Sequence, residues 1–312
     1  MELNQTLSCV FMCSGQGSQK PGMGADLIDV PEVAQVFDCA SDILGVDVRN
    51  LCTQAPAEEL NETRNAQAAI ATLSIGIATA LIARGVQPQA VLGFSLGQIS
   101  ALAISGMLSV EDTFRLLAVR SEVMAKAAQQ NEGVMSAFMK GTPEEVEEVC
   151  ASCAQGQVLV PANYNSAAQI VVSGEVAAVE RAEAAWKERG YKARRLATSG
   201  AFHSPLMQQA ASEFSAYLET VQFSDPRVPL ICNTDAQPLK AADAPAHLTA
   251  HLTHPVRFMQ SVQELAAAGA TSFVEVGFGG VLNNLVKRID PNLDHVCVQD
   301  RASMEALIQN QA

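Results

Sequence analysis

Gly93-Phe94-Ser95-Leu96-Gly97 restricts the fold of this 312-residue chain more than any other stretch. Residues 90–92 ahead of it read as a short buried strand, and Ile99, Leu102 and Ala103 behind it recur at helical spacing. A strand that turns directly into a helix through Gly-x-Ser-x-Gly is a nucleophile elbow. The turn strains the serine backbone and crowds its flanks, which is why glycines stand there. It sets Ser95 Oγ at the carboxyl end of the strand, beside N–H groups at a helix start that suit a developing oxyanion. The chemistry to expect is acyl transfer.

Composition narrows the class. Hydrophobic residues make up 48% of the chain and charged residues 17%, the balance of a well-packed soluble enzyme rather than of a disordered protein. A net charge of −13 argues against nucleic-acid binding. Residues 1–8 carry no basic and apolar segments of a signal peptide, and the uncharged stretch between Arg64 and Arg84 is too weakly apolar for a membrane span. A cytoplasmic protein with reduced thiols is expected for the eight cysteines. Cys150 and Cys153 form a C-x-x-C, but they complete the apolar stripe of a helix opened by the capping box Thr142-Pro143-Glu144-Glu145.

The element order predicts two units. Residues 7–13 read as a strand ending in Gly15-Gln16-Gly17-Ser18-Gln19, with helices over 33–44, 66–84 and 110–130, the last capped by Ser109. Between 131 and 198 the order becomes strand 133–139, helix 143–153, strands 158–162 and 169–172, helix 176–188 and strand 191–196. That β-α-β-β-α-β order is ferredoxin-like, so residues 131–198 are expected to be a small domain inserted into a large one formed by 1–130 and 199–312. Gly277-Phe278-Gly279-Gly280 before a helix imitates a dinucleotide fingerprint, but Leu282 stands where its last glycine should be.

A serine nucleophile needs a base. His247, His251 and His254 sit at i, i+4 and i+7, a spacing that reads as a polar stripe on a surface helix, and no carboxylate or cysteine stands near in sequence to complete a metal site. His203 is the better base: Ser204 and Pro205 after it read as N-cap and first position of a helix, whose positive end keeps imidazole neutral. Arg120 is flanked on its helix by Leu116, Leu117, Val123 and Met124, with no acid placed to pair with it. Such an arginine either snorkels to solvent or awaits an anion.

Taken together, Gly15–Gln19, the elbow, Arg120 and Gly200-Ala201-Phe202-His203 make the chain resemble malonyl-CoA:acyl-carrier-protein transacylases from about residue 7 to 289. The resemblance implies an α/β-hydrolase-like large domain, a ferredoxin-like small domain and a site between them. It implies Ser95 as nucleophile, His203 as base, and Gln16 with the Leu96 N–H as oxyanion hole. Arg120 would bind the malonyl carboxylate, with Asn163, Asn165 and Phe202 near the acyl group. The imidazole would be oriented by a backbone carbonyl, by position that of Arg257. Malonyl-CoA and an acyl carrier protein would be the partners of a monomer that uses no metal and no cofactor of its own. Phe94 replaces the family's usual histidine, Gln98 a common glutamate and Ala168 a usual glycine, none of them at a position given a chemical role.

Two other readings stay open on the sequence. One is a serine esterase or thioesterase on the same elbow, although no His-Gly-Gly-Gly loop is present. The other is a non-catalytic module that binds carrier protein. Because carrier proteins are acidic and this chain is too, docking would need a basic patch. Lys192, Arg194 and Arg195, just before His203, are the candidates.

Overall fold

A computed structural model describes residues 9–311. Residues 7 and 8 of the first expected strand, and the segment read for a signal peptide, lie outside these. The strands are β1 (Cys9–Cys13), β2 (Ala90–Gly93), β3 (Val134–Met139), β4 (Leu159–Ser166), β5 (Gln169–Gly174), β6 (Lys192–Arg195), β7 (Leu230–Ile231), β8 (Ser272–Val276) and β9 (Asp294–Val298). They form a five-stranded sheet, β7-β2-β1-β8-β9, paired parallel throughout, and a four-stranded antiparallel sheet, β4-β5-β3-β6.

Helices cover both faces of the parallel sheet, so its strands are apolar on both sides. Phe11, Cys13, Val91 and Val274 face one core. Val10, Met12, Leu92 and Phe273 face the other, with Val262, Leu285 and Val286 of the helices Phe258–Ala267 and Val281–Ile289. The uncharged stretch after Arg64 is the helix Thr63–Ala83, long and apolar enough to cross a membrane but mostly buried inside the protein. It packs against the first core through Ile70, Leu73 and Ile77, as a central helix of an α/β unit does.

The smaller sheet is also two-faced. Phe138, Ile170 and Val172 pack on the helices Pro143–Ala154 and Val176–Glu188 around Trp186, which is fully buried. Cys150 joins this core, and the Thr142/Glu145 capping box closes as the sequence indicates. Met135, Ala137 and Val171 show the opposite face to the parallel sheet's unit. Strand β4 runs four residues beyond the expected end, because a reading by β propensity stops at the asparagines. Two register shifts, between Pro161 and Asn163 and between Tyr164 and Ser166, carry the strand through them. Its edge bonds back to the large unit, Tyr164 N–H donating to the Val256 carbonyl at 2.9 Å.

Parallel strands all end at one edge, and this decides where chemistry occurs. The chain leaves β1 toward Gln16, β2 toward Ser95, β7 toward Asn233 and β8 toward the turn Gly277–Gly280 and Val281. The imitation of a dinucleotide fingerprint is therefore a tight strand-to-helix turn, with a Cβ on Gly277 meeting Ser14 Oγ at 2.2 Å.

Candidate active site

The elbow forms as its glycines require. A Cβ on Gly93 would lie 2.0 Å from the Gln98 nitrogen, and one on Gly97 2.0 Å from the Cys13 carbonyl oxygen. Ser95 between them has φ +52°, in the left-handed region that non-glycine residues rarely occupy. The Ser95 N–H donates to Asn233 Oδ1 at 2.8 Å, so it takes no part in an oxyanion hole. The Leu96 N–H and the Gln16 side chain have no partner among the described residues, and both border the same cleft.

Ser95 Oγ lies 2.7 Å from His203 Nε2, and His203 Nδ1 lies 2.8 Å from the His251 carbonyl. A carbonyl only accepts, so Nδ1 carries the hydrogen and the Nε2 lone pair faces the serine hydroxyl. The orienting carbonyl is thus that of His251, not of Arg257. The Arg257 carbonyl is taken by the first turn of the helix Phe258–Ala267, accepting from both Ser261 N–H and Oγ–H. Its guanidinium donates to the Thr234 carbonyl and lies over the Tyr164 ring, away from the cleft.

Burial, followed by the Arg120 charge, lowers the His203 imidazole to about 4. A helix N-terminus, expected from the sequence, is not the main cause. Residues Pro205–Met207 after His203 form only a 3₁₀ turn, and the α-helix begins at Gln208. Nor do the three neighbouring histidines form a surface stripe: the helix ends at Ala250, leaving His251 fully buried while His254 is exposed. His247 does meet a cysteine and a carboxylate that sequence distance hid. Cys232, Asp235 and His247 lie within 4.8 Å of one another, with Thr234 Oγ1 2.8 Å from His247 Nδ1.

Arg120 is 1% exposed, and its Nη1 donates to Gln67 Oε1 at 2.8 Å. Its Nε and Nη2 are buried without a hydrogen-bond partner, and burial depresses its basicity to about 10. Among the described residues it has no counter-ion, so a buried guanidinium keeps two donors open toward an anion. Gln67 lies in the alanine-rich run 66–69, and an amide set among those alanines was the available signal. Asn233 and His251 had no local signal, since only the tertiary fold brings them to the elbow.

One cleft of about 220 Å³ between the two sheets gathers Ser95, His203, Gln16, Leu96, Arg120, Asn163, Asn165 and Phe202. Phe94, Met124, Met135, Val171, Leu196 and Leu285 supply apolar walls. Phe94 packs edge-on against Phe258, with ring centroids 5.6 Å apart. Lys192, Arg194 and Arg195 are outside the cleft, and strand alternation divides them. Arg194 and Lys192 pair with Ala137 and Met139, and so share the face that lines the cleft; Arg195 points the other way into a bidentate pair with Glu183.

Known proteins resemble this chain over nearly its whole length. Residues 10–303 match the acyl transferase domain family. The malonyl CoA-acyl carrier protein transacylase of Bacillus subtilis is 38% identical, the match covering 96% of each chain. That of Escherichia coli K12 is 37% identical over 96% of this chain and 98% of its own. The crystal structure of the Xanthomonas oryzae malonyl-CoA:acyl carrier protein transacylase superposes with a TM-score of 0.94 at 37% identity, covering 98% of both chains. A malonyl-transacylase solved in complex with a type II polyketide synthase acyl-carrier protein gives 0.94 at 36% identity, over 97% of this chain and 99% of its own. With a serine and an imidazole in contact on an elbow, a buried arginine with two idle donors lining the same cleft and relatives matched over nearly their whole length, the chain belongs to the acyl transferase family, among the malonyl-CoA:acyl-carrier-protein transacylases.

Proposed function

We propose that this enzyme moves a malonyl group from malonyl-CoA to the phosphopantetheine thiol of an acyl carrier protein, through a malonyl ester on Ser95. The observation that carries the reading is Arg120, buried with two idle donors in the same cleft as a serine 2.7 Å from an imidazole. A simple esterase has no use for such a cation, and a non-catalytic module has no use for a strained serine beside a base. The reading requires no cofactor of the enzyme's own.

Ser95 Oγ attacks the thioester carbon while His203 Nε2 takes its proton. The charge that develops on the carbonyl oxygen is met by Gln16 and the Leu96 N–H. The C–S bond breaks, and CoA leaves as the thiol with the proton from His203. The carrier thiol then gives a proton to His203 and attacks the ester carbon; the C–O bond to Ser95 breaks, and Oγ takes that proton back from His203. Arg120 holds the distal carboxylate, Asn163 and Asn165 offer amides beside it, and Phe202 limits the space near the base.

The β-α-β-β-α-β order and the strand order β4-β5-β3-β6 support a ferredoxin-like unit over 131–198. The strand-to-helix elbow in a parallel sheet supports an α/β-hydrolase-like unit over 1–130 and 199–312. Incubation with malonyl-CoA and no carrier protein should add one malonyl mass to the peptide containing Ser95. An unmodified peptide would refute the mechanism.

A further inference from the structure

Asn233 is fully buried and lies two residues past β7. Its Oδ1 accepts from Ser95 N–H at 2.8 Å and its Nδ2 donates to the Gly93 carbonyl at 2.7 Å. Its backbone N–H donates to Gln98 Oε1 at 2.6 Å. A backbone N–H only donates and a carbonyl only accepts, so both ends of the amide are assigned by their partners. The same Oδ1 lies 3.1 Å from His251 Nε2. That nitrogen must therefore carry the hydrogen, which leaves Nδ1 bare; Nδ1 is in fact buried without a partner. The carbonyl of this same His251 orients His203.

We propose that Asn233 is a positioning residue for both members of the dyad, acting on Ser95 directly and on His203 through His251. The proposal rests on the Ser95–His203 reading above. Ser95 and His203 are 108 residues apart, and their 2.7 Å contact depends on two loops being set independently. Both residues have positive φ, +52° and +57°, so neither loop is held by a relaxed backbone. One carboxamide reaches the first loop at the Ser95 N–H and the second through the imidazole of His251. Gln98 in turn fixes the Asn233 backbone from the first turn of the helix after the elbow. No atom of this chain of contacts enters the reaction; each sets an angle or a distance on which the proton transfer depends.

The test is single-turnover malonylation of Ser95, followed by mass over a range of malonyl-CoA concentrations. His251→Leu keeps the carbonyl but loses the donor to Asn233, and should slow the maximal rate by about tenfold while leaving half-saturation unchanged. His251→Gln supplies an amide donor at similar reach and should recover most of that loss. If the link runs through Asn233, the double variant Asn233→Ala/His251→Leu should be no slower than Asn233→Ala alone. A wild-type rate for His251→Leu, failure of His251→Gln to recover, or multiplying losses in the double variant would each overturn the proposal. Absence of malonyl on wild-type Ser95 would instead remove the dyad reading beneath it.

Discussion

Gln67 holds Arg120 by a single 2.8 Å hydrogen bond and brings it no charge. The cation is thereby placed without being neutralised, and on the proposed reading a substrate carboxylate would meet its full charge. Arg120→Ala should cost about 2–4 kcal/mol in the transition state for malonyl-CoA, roughly 30- to 1,000-fold in kcat/KM. Acetyl-CoA has no carboxylate to lose and should be affected far less. Competition kinetics with the two thioesters measures the difference. Equal losses would make Arg120 a structural residue.

Replacing the neutral partner with a charged one should have the opposite character. Gln67→Glu would give Arg120 an internal counter-ion at the distance where the amide oxygen now sits. Malonyl-CoA would then have to compete with a buried ion pair, and its KM should rise at least tenfold with kcat less affected. A KM equal to that of the wild type would show that the carboxylate is held elsewhere.

The pH dependence follows from the His203 environment. The imidazole acts as base only when neutral, and burial plus the Arg120 charge holds it down to about 4. The acid limb of kcat/KM should therefore fall near pH 4, well below the ordinary histidine range. Removing the Arg120 charge removes one cause of the depression, so Arg120→Ala should move that limb upward. Burial would still keep it under the ordinary value. A limb that stays in place in Arg120→Ala would mean that the arginine charge is not felt at His203.

How much of this was legible in the sequence depended on whether a residue's meaning was local. The elbow, the Ser109 cap, the 142–145 capping box and the β-α-β-β-α-β order are encoded by neighbours in the chain, and each forms as read. The cleft residues Ser95, His203, Gln16 and Arg120 were found through motifs and one misplaced charge. The errors share a cause. The orienting carbonyl belongs to His251 because the helix stops at Ala250 and turns the next peptide inward, which periodicity does not reveal. Arg195 was grouped with Lys192 and Arg194 by proximity, although strand alternation sends it to the opposite face. Asn233 and Gln67 act only across long sequence separations and left no motif.

The glycines flanking the elbow give a stability prediction. A methyl group at residue 97 would need the space of the Cys13 carbonyl, 2.0 Å away, and backbone there cannot yield without parting β1 from β2. Gly97→Ala should destabilise the fold by about 3 kcal/mol or more, read as a lowered denaturant midpoint. Gly45→Ala is the contrasting case, because its Cβ meets nothing within 4 Å and only the strain of φ +67° applies. It should cost about 1 kcal/mol. Equal losses at the two positions would show that the packing of the elbow does not limit stability.

Carrier recognition sets the last expectation. The chain has a net charge of −13, so an acidic carrier protein is repelled at long range and must be drawn in locally. Lys192 and Arg194 are exposed, have no partner among the described residues and share the sheet face that lines the cleft. Arg195 on the other face is occupied by Glu183, and that pairing raises its pKa further. The double reversal Lys192→Glu/Arg194→Glu should raise KM for the carrier protein at low salt and flatten its dependence on ionic strength. Malonylation of Ser95 from malonyl-CoA should be less affected. Arg195→Ala should leave carrier kinetics close to wild type, because it removes a cation already paired. If the double reversal and Arg195→Ala raise carrier KM equally, the docking charge is spread over the small sheet rather than set on the face that opens to the cleft.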